Sequence, residues 1–141
     1  GGQYRLNAFH LPGHKEDGSE VIRMGDDLQA ELLLHSPDGR VPVAVVGIIR
    51  ADGTPVYGVT TDYDQVKPEV LESGLYRFRM RFEKLPLLPG TYSIRGHAMD
   101  PEGIRLFDTA EIRFSVSGET TEVGIIRLQH QWDADTTDEA D

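Results

Sequence analysis

LYRFRMRFE, residues 75–83, places Tyr76, Phe78, Met80 and Phe82 at every second position, with Arg77, Arg79 and Arg81 between them. A period of two is the period of a strand, whose successive side chains leave opposite faces. The stretch therefore predicts a strand with one apolar face turned to a core and one charged face turned to water. At ~3.3 Å per residue, a row from Leu75 to Phe82 carries its arginines over about 13 Å. Such a row is unexpected in a chain of 141 residues with a net charge of -10.

The same period recurs on both sides of this stretch. It is found in QYRLNAF (3–9), VIRM (21–24), LQAELLLHS (28–36), VPVAVVGIIR (41–50), VYGVTT (56–61), TYSIRGHAM (91–99), IRLFD (104–108), AEIRFSV (110–116) and VGIIRLQHQW (123–132). SPDGR, ADGTP and DPEG separate several of these segments, and Asp, Pro and Gly are the residues that tight reversals prefer. DYDQVKPEVLESG (62–74) is expected to be a long loop with one short helical turn. Short strands at this spacing, with helical periodicity hard to find, predict an all-β sandwich or barrel. Leu88-Pro89-Gly90-Thr91-Tyr92 resembles a tyrosine corner, in which a tyrosine at the start of a strand bonds back to the preceding crossover. The expectation is an immunoglobulin-like antiparallel β-sandwich over 1–132, followed by a disordered acidic tail over 133–141.

Composition removes several function classes. With 24 acidic against 14 basic residues, five of the acidic ones in DADTTDEAD (133–141), the chain lacks the basic excess that nucleic-acid binding draws on. No cysteine is present for a disulfide, a thiolate metal site or a thiol nucleophile. GxSxG, HExxH and GxxxxGK[ST] are all missing, so no catalytic residue is assigned and no cofactor is expected. His10 and His14 flank Pro12 and Gly13, which break the helix that their spacing would need to bind a metal. Asp133, Asp135 and Asp138 echo a calcium loop without its glycine or closing glutamate, and no metal is expected there either.

Two arginine sets remain as candidates for ligand contact. Arg77, Arg79 and Arg81 form the first, and their bland explanation is a solvated strand face paired with carboxylates such as Glu31. Arg95 and His97, outward with Ser93 on TYSIRGHAM, form the second. A guanidinium fork holds a planar carboxylate or phosphate through two parallel hydrogen bonds, so either set suits an anionic ligand. In an immunoglobulin-like order the two strands belong to different sheets, so only one set is expected to serve. Tyr63, in the long loop, is a candidate stacking platform. VPVAVVGIIR is apolar on both sides, so its outer side needs a cover: the last stretch, a second subunit or a ligand.

In order, GDDLQAELLLH (25–35), GIIRADGTPVYGVTTDYD (47–64), the arginine strand, LPLLPGTYSI (85–94) and VGIIRLQHQW (123–132) resemble the C-terminal carbohydrate-binding domain of ATP-driven O-antigen polysaccharide exporters, the Wzt type. The marks are Gly25-Asp26, DGTPVYGVTT, LLPGTY and the ending Gly124, Leu128, His130 and Trp132. The resemblance implies a sandwich that forms a homodimer by exchanging a C-terminal strand and that binds the terminal cap of an O-polysaccharide. It implies a cytoplasmic location at the inner-membrane face, reached through an ATPase domain that contacts the transporter's membrane subunit. No ATPase motif occurs in these residues, so a non-catalytic fragment is expected. No family motif carries binding residues over to positions here, and the six candidates Tyr63, Arg77, Arg79, Arg81, Arg95 and His97 rest on local chemistry. An anionic cap fits them; the alternative is a structural or protein-binding immunoglobulin-like module, with an enzyme as a third class.

Overall fold

The computed structural model describes residues 2–134, and apart from turns their regular structure is all strand. In chain order the strands are β1 (Arg5–His10), β2 (Glu20–Arg23), β3 (Leu28–His35), β4 (Val43–Arg50), β5 (Pro55–Thr60), β6 (Glu69–Glu72), β7 (Leu75–Phe82), β8 (Gly90–Met99) and β9 (Leu106–Ser117). They form a four-stranded sheet, β1-β3-β7-β6, and a five-stranded sheet, β2-β9-β8-β4-β5. This is the strand order of an immunoglobulin-like sandwich with an added strand at each edge of the second sheet, β2 and β5. One pairing departs from the antiparallel expectation. β2 crosses from the first sheet to the second and runs parallel to β9, from Glu20 beside Phe114 to Arg23 beside Ser117.

Alternation builds the core. On β3, Leu28, Ala30, Leu32 and Leu34 are buried, and on β7 Tyr76 and Phe78 lie beside them. Val46 and Ile48 of β4, Tyr92 and Ile94 of β8, and Ile112 and Phe114 of β9 close the other side. Each fully buried large apolar side chain contributes about 1.5–3 kcal/mol over an exposed one. β1 is the edge strand beside β3 in the first sheet, and its Phe9 lies so close to β8 that a methyl group on Gly96 would fall 2.8 Å from the ring. The predicted tyrosine corner is present: Tyr92 donates its hydroxyl to the Leu88 carbonyl at 2.6 Å and stacks on Phe114 with ring centroids 5.9 Å apart.

Three segments differ from expectation. The 62–74 loop contains β6, a short exposed edge strand made visible only by its pairing with β7. IRLFD and AEIRFSV join in the single long strand β9. VGIIRLQHQW forms no strand within the chain. It makes an isolated bridge between Ile126 and Leu87, flanked by bonds from Leu88 N to Ile125 O and from Arg127 N to Pro86 O. Its backbone thus pairs with the β7–β8 crossover and not with the outer side of β4, while Leu128 and Trp132 stay 73% and 92% exposed. Of the expected acidic tail, residues 135–141 lie outside the described residues.

A polar clamp ties together one end of the sandwich. Asp38 accepts hydrogen bonds from the hydroxyls of Tyr4 (2.8 Å) and Ser36 (3.0 Å) and from Arg40 Nε (2.9 Å). Arg40 also reaches Glu102 at 2.6 Å, so the β3–β4 turn, the β8–β9 turn and the N-terminal segment share one network. The Tyr4 hydroxyl, with Arg40 and Ser36, holds the Asp38 carboxyl well below its ordinary value of 3.8. A depressed carboxyl stabilises the fold fully above its unfolded value, and that stability is lost as pH falls through the folded value. Asp38→Asn should therefore lower the melting temperature at pH 7 and narrow its gap from the parent below pH 3, as read by thermal melts across pH. Tyr92→Phe should cost about 1–3 kcal/mol in urea unfolding, because the Leu88 carbonyl loses its buried donor.

Candidate functional site

The two arginine sets lie on opposite outer faces, as their strands belong to different sheets. Along β7, Arg77, Arg79 and Arg81 point outward between the inward Tyr76, Phe78, Met80 and Phe82. Each meets a carboxylate. Arg77 bonds Glu69 through two nitrogens at 2.6 and 3.1 Å, Arg79 Nε lies 3.3 Å from Glu31, and Arg81 lies 3.8 Å from Glu83. Glu31 sits directly opposite Arg79 on β3, the cross-strand arrangement that favours opposite charges. The row and its carboxylates thus balance, three against three. A shallow open groove of about 460 Å³ runs over Gln29, Glu31, Arg79, Arg81 and Pro12 on this face.

The outer face of the five-stranded sheet is built differently. Strand register sets Gly58 of β5, Gly47 of β4, Arg95 of β8 and Glu111 of β9 in one transverse row. The neighbouring rows are Thr60, Val45, His97 and Thr109 on one side, and Pro55, Ile49, Ser93 and Arg113 on the other. Arg95 Nε donates to Glu111 at 2.5 Å. Hydrogen bonding from Arg95 chiefly, then the Arg95 charge, Ser93 and the Arg113 charge, hold the Glu111 carboxyl below its ordinary range. Arg113 makes no ion pair with any described residue. Two arginines therefore surround one carboxylate, a local surplus of one positive charge.

His97 stands beside this group, with its Nδ1 2.8 Å from the Thr109 hydroxyl. Burial, followed by the adjacent Arg95 charge, pushes its pKa below 6.5, so the ring is neutral at pH 7 and offers one donor and one acceptor. Tyr63 is 87% exposed in the turn that follows β5. That turn lies against the β8–β9 turn, since a methyl on Gly103 would come 2.7 Å from Asp62 Oδ2. Tyr63 thus stands at the His97 end of the five-stranded sheet, three residues beyond Thr60. Val45, Gly47 and Ile49 on the outer side of β4 are half-buried.

Glu111, Arg113, Thr109, Gly47 and Gly58 were not singled out in the sequence. The alternation in AEIRFSV marks Glu111 and Arg113 as outward, but only strand pairing puts them beside Arg95. The histidines near the N-terminus take separate partners: His10 Nδ1 lies 3.0 Å from Glu16, and His14 Nδ1 lies 3.4 Å from Glu20. Among the described residues no three His, Asp or Glu side chains gather as a metal site would require. No helix among them is long and apolar enough to cross a membrane.

Among solved structures, the chain is similar to CopC from Methylosinus trichosporium OB3b, at 11% identity and a TM-score of 0.43, over 86% of this chain and 100% of that one. It is similar to a CARDB domain from Pyrococcus furiosus in complex with di-metal ions, at 16% identity and a TM-score of 0.46, over 81% and 85% of the two chains. A third likeness is the PmoD soluble domain from Methylocystis sp. ATCC 49242 (Rockwell), at 18% identity and a TM-score of 0.34, over 77% and 87%. At such scores these likenesses do not bear on what this chain binds. No curated protein matches the sequence. The family model described as the Wzt C-terminal domain matches residues 2–128. That domain is a non-catalytic β-sandwich, associated with carbohydrate binding in O-antigen transporters. A sandwich of this strand order, matched by that model over nearly its whole described length, belongs to the Wzt C-terminal domain family.

Proposed function

We propose that this domain recognises the terminal cap of an O-antigen polysaccharide on the outer face of its five-stranded sheet, with Arg95 as the charged anchor. The observation that carries this choice of face is the charge balance. The β7 arginines each meet a carboxylate, whereas on the other face Arg95 pairs with Glu111 and Arg113 has no ion-pair partner among the described residues, which leaves one positive charge for a ligand. Neutral His97 and the Thr109 hydroxyl beside it suit sugar hydroxyls, and half-buried Val45 and Ile49 supply the apolar ground that sugar sites combine with such groups. An acidic cap, bearing a carboxylate or a phosphate, fits the surplus charge. The groove over Gln29, Glu31, Arg79 and Arg81 favours the opposite face as a second reading.

The domain works, in this proposal, as a homodimer. Leu128 and Trp132 extend beyond the Ile126 bridge with almost no cover, and a second copy that pairs with this stretch would bury them. An ATPase domain would join the module to the transporter's membrane subunit at the cytoplasmic face of the inner membrane.

Arg95→Ala and Arg79→Ala separate the two faces. A charge-assisted hydrogen bond contributes ~1.5–3 kcal/mol, so Arg95→Ala should weaken binding of the source strain's O-polysaccharide by roughly 10- to 150-fold in calorimetry. Arg79→Ala should bind like the parent, and the reverse pattern would move the site to the β7 face. Truncation after Arg127 keeps the Ile126 bridge and removes Leu128 and Trp132. It should turn a dimer into a folded monomer by ultracentrifugation, and a truncated chain that stays dimeric would defeat the dimer proposal.

A further inference from the structure

Three glycines occupy the interiors of strands: Gly47, Gly58 and Gly96. Glycine weakens a strand relative to alanine, so each position calls for a cause. Gly96 has one inside the protein, the Phe9 ring 2.8 Å from where its methyl group would stand. The other two face outward and sit directly opposite each other across β4 and β5. Neither has a positive φ. The β5 bulge falls between Tyr57 and Pro55, where no glycine stands. A methyl group on Gly58 would meet nothing nearer than the Val46 carbonyl oxygen at 3.9 Å, an ordinary contact, and one on Gly47 would have the Tyr57 carbonyl oxygen at 3.3 Å. Gly58 in particular has no cause in the chain's own backbone or packing. Glycine in such a place marks the close approach of something from outside.

The ground around the pair indicates what approaches. Gly58, Gly47 and Arg95 are consecutive in one transverse row, so the side-chain-free floor spans about two strand spacings, ~9–10 Å, and ends at a guanidinium. Val45 borders it on the His97 side and Ile49 on the Ser93 side. A pyranose ring has a face of C–H groups and a rim of polar substituents, which matches an apolar floor closed at one end by charged and hydrogen-bonding groups. A strand from a second copy could pair along the free edge of β5, where Gly58 lies, but it would run beside the sheet and leave the outer face over Gly47 open, because β4 is already paired on both sides.

We infer that Gly47 and Gly58 form the floor of the sugar subsite: the apolar face of a terminal sugar ring lies flat across them, and its acidic or hydroxyl substituents turn toward Arg95 and His97. The inference rests on the proposed carbohydrate site and adds the feature that selects for a ring lying flat. It also gives Gly58 a role at a position where alanine would suit the strand better.

The test uses Gly58→Ala and Gly58→Val, with O-polysaccharide released from the lipopolysaccharide of the source strain as the probe, titrated by calorimetry alongside Arg95→Ala. Both Gly58 variants should melt at or above the parent's temperature, since β-carbon groups suit a strand. Gly58→Val should bind the probe more weakly by roughly tenfold or more, the effect of a misplaced methylene in a fitted apolar site, and Gly58→Ala should fall between. Full affinity in Gly58→Val, with affinity lost in Arg95→Ala, would overturn the glycine floor and leave the binding face intact. Parent-like binding in all three variants, or no binding by the parent itself, would instead remove the proposed site and the inference with it. If Gly58→Val loses self-association by ultracentrifugation while keeping the probe, the floor seats a second copy and the sugar assignment is wrong.

Discussion

The 2.6 Å hydrogen bond from the Tyr92 hydroxyl to the Leu88 carbonyl sets the point at which β8 enters the five-stranded sheet. Much of the molecule depends on that register. Side chains alternate with a period of two, so a slip of one residue would exchange the two faces of β8. Tyr92, Ile94, Gly96 and Ala98 would leave the core, and Arg95 and His97 would enter it. Burying a guanidinium without its carboxylate is among the costlier errors a fold can make, and Gly96 would no longer receive Phe9. The corner therefore positions the core and the candidate site by one interaction. The same strand supplies Ile94 to the interior and Arg95 to the surface.

The arginines of this acidic chain divide into two kinds. Those on β7 are held by carboxylates placed across or along the sheet, and such exposed pairs contribute little to stability. Their value lies in keeping a strongly patterned outer face polar and neutral. Of those around Glu111, Arg95 is bonded to it and Arg113 adds only its charge nearby, and the pKa of His97 beside them is lowered by burial and by the Arg95 charge. A site assembled this way presents donors already oriented by one another, which lowers the ordering cost of binding a small polar group. Arg40 is different again. It is spent on Asp38, Glu102 and Tyr4 at the end of the sandwich and holds turns together.

On the outer side of β4 and β5, the proposed recognition works against stability. Valine and isoleucine there, on a strand apolar on both sides, favour the sheet, while Gly47 and Gly58 weaken it. The result is a strip that is apolar without being bulky. The stretch from Gly124 to Trp132 makes its backbone bonds with the β7–β8 crossover instead. The β4 outer side thus stays half-buried, and the Leu128 to Trp132 segment stays exposed.

The sequence by itself determined the strands whose two faces differ in polarity. LYRFRMRFE, LQAELLLHS and TYSIRGHAM declare which side is core because burial acts residue by residue with the period of the backbone. The tyrosine corner was legible for a similar reason, since its partner lies four residues away. β6 was not legible: Glu69, Val70, Leu71 and Glu72 have no distinct faces, and the segment is a strand only because β7 lies beside it. VGIIRLQHQW misled in the other direction, as an apolar stretch of strand composition has no ladder to join within one chain. The candidate site divides along the same line. Arg95 and His97 could be seen as outward from β8 alone, but Glu111, Arg113, Gly47 and Gly58 come from three other strands. The proposed choice between the two arginine faces rests on tertiary structure alone, because the charge a ligand would meet depends on which carboxylates pairing brings within reach, and cross-strand register is a long-range property that no local pattern encodes.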